Sequence, residues 1–205
     1  MIEIYHAPRT RGIRPIWACE ELGLEYTVIP VDFSAEYRAS PAWRRMNPVG
    51  KVPVLTDGDL TMFESGAMLQ YLVDRYGGGA RPTLQPSYGT PEHALYLQWC
   101  WFAESTFARP LGEIVNHQRA FVEGQRSDRA MADMRERAWL CVSALEAALQ
   151  NRPWILGDAF SAADVMLGYS LKLHVELAPG ELPTAVAGYW DSVNARPGYQ
   201  AAVAA

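Results

Sequence analysis

The sequence is poor in the features that would assign it to a membrane, to a nucleic acid or to a disulfide-stabilised class. No apolar run in its 205 residues approaches the roughly 20 residues needed to cross a bilayer. The 18 basic side chains face 23 acidic ones, and the net charge of −5 disfavours a nucleic acid partner. The 3 cysteines are an odd number, which favours reduced thiols and a cytoplasmic protein over a disulfide framework. No Cys/His cluster has metal-ligand spacing, so we expect no metal.

The N-terminal part of the chain alternates strand-like and helix-like patterns. Four strands are expected at 2–6, 26–31, 52–56 and 60–63, with helices at 12–24, 41–46 and 65–76. The first strand–helix–strand crossover implies a parallel pair of strands. The Asp57-Gly58 turn between the last two strands implies an antiparallel hairpin. Together they predict a mixed sheet in a thioredoxin-like arrangement.

A segment dense in glycine and proline predicts a linker at 78–90, between a first domain at 1–77 and a second at 91–205. The second domain is predicted to be all helical, so the fold class is an α/β thioredoxin-like N-terminal domain plus an all-α C-terminal domain. Its helices are expected at 91–122, bent near Pro110, and at 128–150, 158–177 and 183–196. Ser161 and Asp164 have the spacing of a structural capping box. The alanine-rich end, 201–205, is expected to fray.

Four sequence segments resemble the glutathione S-transferase family in their order and spacing. They are Glu20-Glu21-Leu22-Gly23-Leu24, the run from Asn47-Pro48 to Leu55, Glu64-Ser65, and the run from Trp154 to Asp164. The resemblance is to bacterial-type members with a serine/threonine-like active site. It implies glutathione as co-substrate, a hydrophobic small-molecule electrophile as second substrate, a role in detoxification and a cytoplasmic homodimer.

The resemblance also implies which residues hold glutathione. The Val52-Pro53 bond is expected to be cis and to turn the backbone of Val52 towards the cysteinyl part. Glu64 and Ser65 begin a helix, where they could be ordinary caps or an anion site. The family places the γ-glutamyl carboxylate on Ser65 and the α-amino group beside Glu64. Lys51 is the candidate for the glycyl carboxylate, with Arg44 or Arg45 as alternatives.

The catalytic position follows the first strand. Family members place a Tyr, Ser or Cys there, and its hydroxyl or thiol favours the thiolate form of glutathione. No Ser or Cys occurs between Pro8 and Arg14, and alignment with serine-class members puts Thr10 in that position. Arg11 is the second candidate, since its guanidinium charge could stabilise a thiolate. A purely structural alternative makes Thr10 the N-cap of the following helix, and His6 is interpreted as structural.

Aromatic residues crowd the first helix of the second domain beyond what one apolar stripe requires. Trp99, Phe102 and Thr106 are predicted to line the electrophile pocket between the domains. Two alternatives to conjugation stay open. One is reduction of a disulfide or peroxide at the expense of glutathione, and the other is a non-catalytic protein of this fold that binds ligands or partners.

Overall fold

The computed structural model describes the whole chain, from Met1 to Ala205, which divides into two compact units. Unit 1 contains residues Met1–Leu84 and Asn194–Ala205, and unit 2 contains Gln85–Val193. The sequence predicts that the segment from Asn194 to Ala205 belongs to the helical domain, whereas in the structure it packs with the first helix. None of the helices combines the length and the apolar character needed to cross a membrane.

A four-stranded sheet with the order β2-β1-β3-β4 forms the centre of unit 1. Its strands are β1 (Ile2–His6), β2 (Tyr26–Pro30), β3 (Val54–Asp57) and β4 (Leu60–Phe63). Strand β1 is parallel to β2 and antiparallel to β3, and β3 is antiparallel to β4. The mixed, thioredoxin-like sheet expected from the sequence is therefore confirmed.

Five helices complete unit 1: α1 (Ile13–Leu22), α2 (Ala35–Ala39), α3 (Pro41–Met46), α4 (Ser65–Tyr76) and α10 (Pro197–Ala204). Helix α1 ends as expected at Gly23, whose φ of 61° is a left-handed conformation that glycine adopts without steric cost. The short helix α2 is not expected from the sequence. Its N-cap, Ser34, accepts a hydrogen bond from the Tyr37 backbone at 3.2 Å.

The expectation of a frayed C-terminal tail is wrong, because α10 is a helix that packs on α1. Tyr199 is buried, and its ring meets the Trp17 ring edge-on at a centroid distance of 5.0 Å. Arg196, the N-cap of α10, donates two hydrogen bonds to Glu21, at 2.7 and 2.5 Å. Gly198 permits the close approach, since a Cβ there would lie 3.0 Å from a Glu21 carboxylate oxygen.

All the named secondary-structure elements of unit 2 are helical, as its sequence predicts. Its helices are α5 (Pro91–Trp101), α6 (Ala108–Ala120), α7 (Asp128–Leu149), α8 (Ala162–Leu177) and α9 (Thr184–Asn194), whose last residue belongs to unit 1. A π-helical segment, Phe102–Phe107, joins α5 to α6, and a 3₁₀ turn, Glu123–Gln125, precedes α7.

A π-helical segment, Phe102–Phe107, lies just before Pro110, near which the sequence predicts a bend. The Ala108 N–H donates to the Ala103 carbonyl, five residues earlier, so the turn is wider than in an α-helix. Pro110 has no N–H to offer the Thr106 carbonyl. That carbonyl instead lies 3.8 Å from the Cys141 thiol on α7. The π-helical irregularity therefore ends within one turn before Pro110.

Helix α8 begins at Ala162 rather than at residue 158, because the capping box defines its start. The Asp164 carboxylate accepts the Ser161 backbone N–H at 2.8 Å and the Ser161 hydroxyl at 2.9 Å. It also accepts the Ile155 N–H at 3.0 Å and the Tyr189 hydroxyl at 3.1 Å. Burial raises the pKa of Asp164, whereas these four bonds lower it. The structural role expected for this box is confirmed.

Candidate functional site

The strand register brings three separate segments to one edge of the sheet in unit 1. Tyr5 of β1 lies opposite Val54 of β3, and Val54 lies opposite Phe63 of β4. The end of β1, the start of β3 and the end of β4 therefore meet at this edge. The segments that continue from them carry Thr10, Val52-Pro53 and Glu64-Ser65, which we call the sheet-edge site.

An apolar cluster fixes two of these segments to each other. Ala7, just after β1, packs in one buried cluster with Val52 and Val54 around Trp43, which is 1 % exposed. Ring contacts extend the cluster, since Tyr5 lies 6.2 Å from Trp43 between ring centroids. The loop that leaves β1 and the segment that enters β3 are thus parts of one core.

The Val52-Pro53 peptide bond is cis, as expected from the family resemblance. Asn47 holds the loop that leads into it. Its side-chain amide donates to the Lys51 carbonyl at 2.9 Å, and its side-chain oxygen accepts the Val49 N–H at 3.1 Å. Asn47 is 2 % exposed. The sequence does not predict this bracing role, because the motif that contains Asn47 does not show which backbone groups its side chain contacts.

The structure separates the candidates for the glycyl carboxylate. The Arg44 guanidinium donates to the Arg38 carbonyl at 3.1 Å and to the Pro48 carbonyl at 2.6 Å, so Arg44 braces the loop. Lys51 and Arg45 are both exposed. Lys51 follows directly from the loop that Asn47 and Arg44 hold and immediately precedes Val52 of the sheet-edge site. Its role with the glycyl carboxylate stays a prediction.

Glu64 adopts a backbone conformation that simple capping does not require. Its φ of 76° is positive, and its side chain makes no capping hydrogen bond to α4. A non-glycine residue held in such a region costs about 1–3 kcal/mol. The carboxylate is exposed, so it is available to a ligand ammonium group. The explanation of Glu64 as an ordinary cap is therefore disfavoured.

Ser65, the first residue of α4, is 4 % exposed and contacts a buried cation. Arg14 of α1 donates from Nη1 to the Ser65 hydroxyl oxygen at 3.2 Å. Arg14 is fully buried. In the sequence analysis Arg14 is only a marker for the alignment that places Thr10, and it is not among the predicted site residues. A pairing across 51 residues of chain leaves no signal in local sequence.

Thr10 does not cap α1. The N-cap is Gly12, which has no side-chain capping bond. The Thr10 hydroxyl donates to the Ala7 carbonyl at 2.7 Å and lies 3.4 Å from Nδ1 of His6. Its purely structural alternative as an N-cap is therefore wrong, and its single hydrogen serves the Ala7 carbonyl.

His6 packs against the Thr10 loop, with its Nδ1 3.4 Å from the Thr10 hydroxyl oxygen. It is 2 % exposed, and burial lowers its pKa to about 4, so the imidazole is neutral near neutral pH. Gly12 leaves room for the ring, since a Cβ at residue 12 would lie 2.1 Å from His6 Nδ1. Arg11 lies half-buried in the same loop, and its carbonyl accepts the Arg14 N–H at 3.1 Å.

The predicted electrophile residues lie in unit 2. Phe102 and Thr106 line an open cavity of about 450 Å³ at the π-helical segment. Trp99 does not line it, but its ring packs edge-on against Phe102 at 5.2 Å between centroids. The remaining lining residues are Ser105, Arg109, Pro110, Arg137, Leu140 and Cys141.

Charge around this cavity is largely internally paired. Arg137 and Arg109 donate to Glu113 at 2.7 and 3.2 Å. The hydrogen bond from Arg137 is the main reason that the pKa of Glu113 is lowered. Burial raises the pKa of the Cys141 thiol to about 11, so this cysteine stays protonated. The cavity thus offers an aromatic ring and hydroxyls rather than a nucleophile.

Comparisons with known proteins agree with this fold. A family model for the glutathione S-transferase N-terminal domain matches residues 2–74. Disulfide-bond oxidoreductase YfcG of Escherichia coli is 30% identical over 172 residues, which are 80% of this chain and 76% of that protein. Glutathione S-transferase 3 of Schizosaccharomyces pombe is 27% identical, over 83% of this chain and 73% of its own.

Among solved structures, a theta class glutathione S-transferase from Xanthomonas axonopodis pv. citri, with glutathione bound, superposes with a TM-score of 0.84. It is 30% identical, and the match covers 100% of this chain and 97% of that one. Sequence, fold and relatives therefore agree, and the chain belongs to the glutathione S-transferase family.

Proposed function

We propose that the protein is a glutathione transferase, which binds glutathione at the sheet-edge site and activates its thiol for attack on a hydrophobic electrophile. The observation that carries the proposal is the strand register, which gathers the Thr10 loop, Val52-Pro53 and Glu64-Ser65 at one edge of the sheet. A glutathione-bound relative of the same fold supports the choice of ligand.

The proposed contacts follow the polarity of the ligand. The Ser65 hydroxyl and the first N–H groups of α4 take the γ-glutamyl carboxylate, because helix N-termini favour anions. The exposed Glu64 carboxylate faces the α-amino group, and the Val52 backbone pairs with the cysteinyl part like an added strand. Pro53 holds the turn that presents Val52, and Lys51 takes the glycyl carboxylate.

Thiol activation is assigned to Thr10, with Arg11 as the second candidate. The hydroxyl must turn its hydrogen from the Ala7 carbonyl to the sulfur. The bond it leaves contributes about 0.5–1.5 kcal/mol, whereas a hydrogen bond to a charged group contributes about 1.5–3 kcal/mol. Donation to a thiolate therefore outweighs the lost bond. The thiolate then forms a bond to the electrophilic carbon, the leaving group departs with its electron pair, and the thiol proton passes to solvent.

We assign the second substrate to the surface of Phe102 and Thr106, with Trp99 packed behind Phe102. An open cavity beside an aromatic ring suits a planar, apolar molecule. The half-buried ring of Phe102 and the exposed Thr106 hydroxyl are the lining groups that would contact it. We further propose a homodimer, supported by the large exposed apolar side chain of Trp101 on α5. We also propose a cytoplasmic location, supported by the odd number of cysteines.

A second candidate function is glutathione-dependent disulfide reduction. It is favoured by the E. coli relative, which is named a disulfide-bond oxidoreductase. In that reaction two glutathione molecules reduce one disulfide to two thiols and are themselves oxidised to glutathione disulfide. Conjugation instead yields a thioether, so product analysis by mass spectrometry distinguishes the two reactions.

The test is a pH titration of bound glutathione that follows thiolate absorbance in the ultraviolet. We expect the thiol to ionise below its free pKa of about 8.5, and Thr10→Ala to lose that shift. Thr10→Ser is the matched control, because it keeps the hydroxyl and should keep the shift. A shift that survives in Thr10→Ala moves the role to Arg11 or to backbone donors. Binding without any shift, or no binding, overturns the transferase proposal in favour of a non-catalytic binding protein.

A further inference from the structure

We propose that Arg14 is a positioning residue for Ser65, fixing the direction of its hydroxyl hydrogen towards the ligand carboxylate. The inference rests on the proposed function, because the carboxylate in question is the γ-glutamyl one assigned to Ser65. Arg14 itself touches no ligand atom in this scheme. It acts through the 3.2 Å bond between its Nη1 and the Ser65 oxygen.

The direction follows from the chemistry of the two groups. A guanidinium has N–H donors and no acceptor, whereas a serine hydroxyl has one hydrogen and two lone pairs. In the Arg14–Ser65 bond the hydroxyl oxygen must therefore be the acceptor. Its hydrogen points to another group, and Ser65 becomes a donor, which is what an incoming carboxylate needs. Without Arg14 the hydroxyl could turn to a nearby backbone carbonyl, which is a common local partner of serine hydroxyls.

The burial of Arg14 favours a specific role over a packing role. Arginine is almost never fully buried without a polar partner, because removing its charge from water is costly. Arg14 is 0% exposed. An apolar side chain of similar length could fill the same volume of α1 at lower cost. A role in orienting Ser65 would explain why a buried cation is present at this position.

The position of the bond connects two parts of the sheet-edge site. Arg14 lies in the first turn of α1, directly after the Thr10 loop, and Ser65 lies at the start of α4. Helices α1 and α4 pack against each other within unit 1. Helix α1 therefore follows the Thr10 loop at the thiol end of the site and, through Arg14, also contacts Ser65 at the γ-glutamyl end.

The test is a double-mutant cycle on the glutathione dissociation constant, measured by isothermal titration calorimetry. We expect Ser65→Ala and Arg14→Met each to weaken binding about 10-fold, the range of one hydrogen bond to a charged group. The double variant should bind about as weakly as either single variant, because both remove one interaction. Arg14→Lys should restore part of the affinity, since an ammonium group is also a donor without an acceptor.

A ligand-side measurement excludes a general loss of structure. Wild-type protein should prefer glutathione to an analogue whose γ-glutamyl α-carboxylate is replaced by a carboxamide, and Arg14→Met should show a smaller preference. Cys19→Ala is the control variant, since Cys19 is buried on the same helix and its loss should leave both dissociation constants unchanged. If Arg14→Met does not fold, the cycle is run with Arg14→Gln, whose amide can both donate and accept and therefore does not fix the direction of the Ser65 hydroxyl hydrogen.

Two outcomes separate this inference from the proposed function. If Ser65→Ala binds glutathione like wild type, the role of Ser65 fails and the proposed ligand site with it. If Ser65→Ala weakens binding, but the arginine substitution has no effect or multiplies with it, the ligand site stands and the positioning role of Arg14 is overturned.

Discussion

Buried polar side chains lie in different places in the two units. In unit 1 they are Ser65 of the sheet-edge site and three residues that contact its segments or the loop leading into it, His6, Arg14 and Asn47. In unit 2 they are His93, Ser161, Asp164, Ser170 and His174, none of which lines the cavity at the π-helical segment. Burial of polar groups is costly unless each is well partnered. In unit 1 the buried polar residues lie near the candidate site. In unit 2 they contribute to contacts that hold the helices together.

Ser170 illustrates the structural use in unit 2. Its hydroxyl donates to the Ala103 carbonyl at 2.9 Å, and so ties α8 to the π-helical segment. The comparison therefore implies that polar substitutions in unit 1 act on ligand binding, and those in unit 2 on the free energy of unfolding. Three predictions test this division.

The largest expected effect is on stability in unit 2. Asp164→Ala leaves four buried donors without their acceptor. Each unsatisfied donor costs about 1–3 kcal/mol, so we expect a loss of at least about 4 kcal/mol. Urea unfolding would measure it. The glutathione dissociation constant of the folded fraction should not change. Asp158→Ala is the control, because Asp158 is exposed and should cost less than about 0.5 kcal/mol. Weaker glutathione binding by folded Asp164→Ala would break the comparison.

The next effect concerns one buried histidine in each unit. Burial lowers the pKa of His6 and of His174 to about 4, whereas an unfolded histidine titrates near pH 6.5. Below that pH the unfolded state binds more protons, so stability falls as the pH drops from about 6.5 to 4. The loss is up to about 3 kcal/mol for each ring.

Substitution of each histidine sharpens the comparison. His174 lies against the rings of Phe107 and Trp139, and neither of its ring nitrogens forms a hydrogen bond within the protein. His174→Leu should flatten the pH dependence of unfolding and leave the thiol pKa of bound glutathione unchanged. His6→Asn should flatten it too and also shift the thiol pKa, because His6 supports Thr10. A thiol pKa that responds to His174→Leu, or ignores His6→Asn, contradicts the division.

The smallest effects come from two glycines. Gly12→Ala brings a Cβ to 2.1 Å from His6 Nδ1, and we expect a loss of about 1–3 kcal/mol with a changed thiol pKa. A Cβ at Gly112 of α6 would meet no other atom within 4 Å, so Gly112→Ala should stabilise by up to about 1 kcal/mol. Thermal unfolding and the thiolate titration measure both variants. If Gly12→Ala and Gly112→Ala change the thiol pKa of bound glutathione equally, the Thr10 loop does not depend on its contact with His6.

Local sequence predicted most of the backbone of unit 1. The bounds expected for β1, β4 and α4 match the structure, because each has a strong pattern and a clear end signal. It did not predict α10, whose alanine-rich sequence has little pattern of its own. That helix is held by Trp17 and Glu21, which lie far away in the chain.

The candidate site was predicted less evenly. The positions of Val52, Pro53, Glu64 and Ser65 came from a motif, and the strand register then places their segments at one edge. The hydrogen-bond partners of the side chains could not be predicted from the sequence, because they depend on contacts that local patterns do not show. Arg14 with Ser65 and Thr10 with the Ala7 carbonyl are such contacts. The assigned roles of these residues stay predictions.

The packing of α10 on α1 has a consequence for biosynthesis. Residues 85–193 are translated between the two parts of unit 1, so all of unit 2 emerges from the ribosome before α10 does. Until then the face of α1 around Trp17 and Glu21 lacks the contacts that α10 makes with it. A nascent chain of this protein therefore carries an incomplete first unit through most of its synthesis, and a stop codon just before Pro197 would make that state permanent.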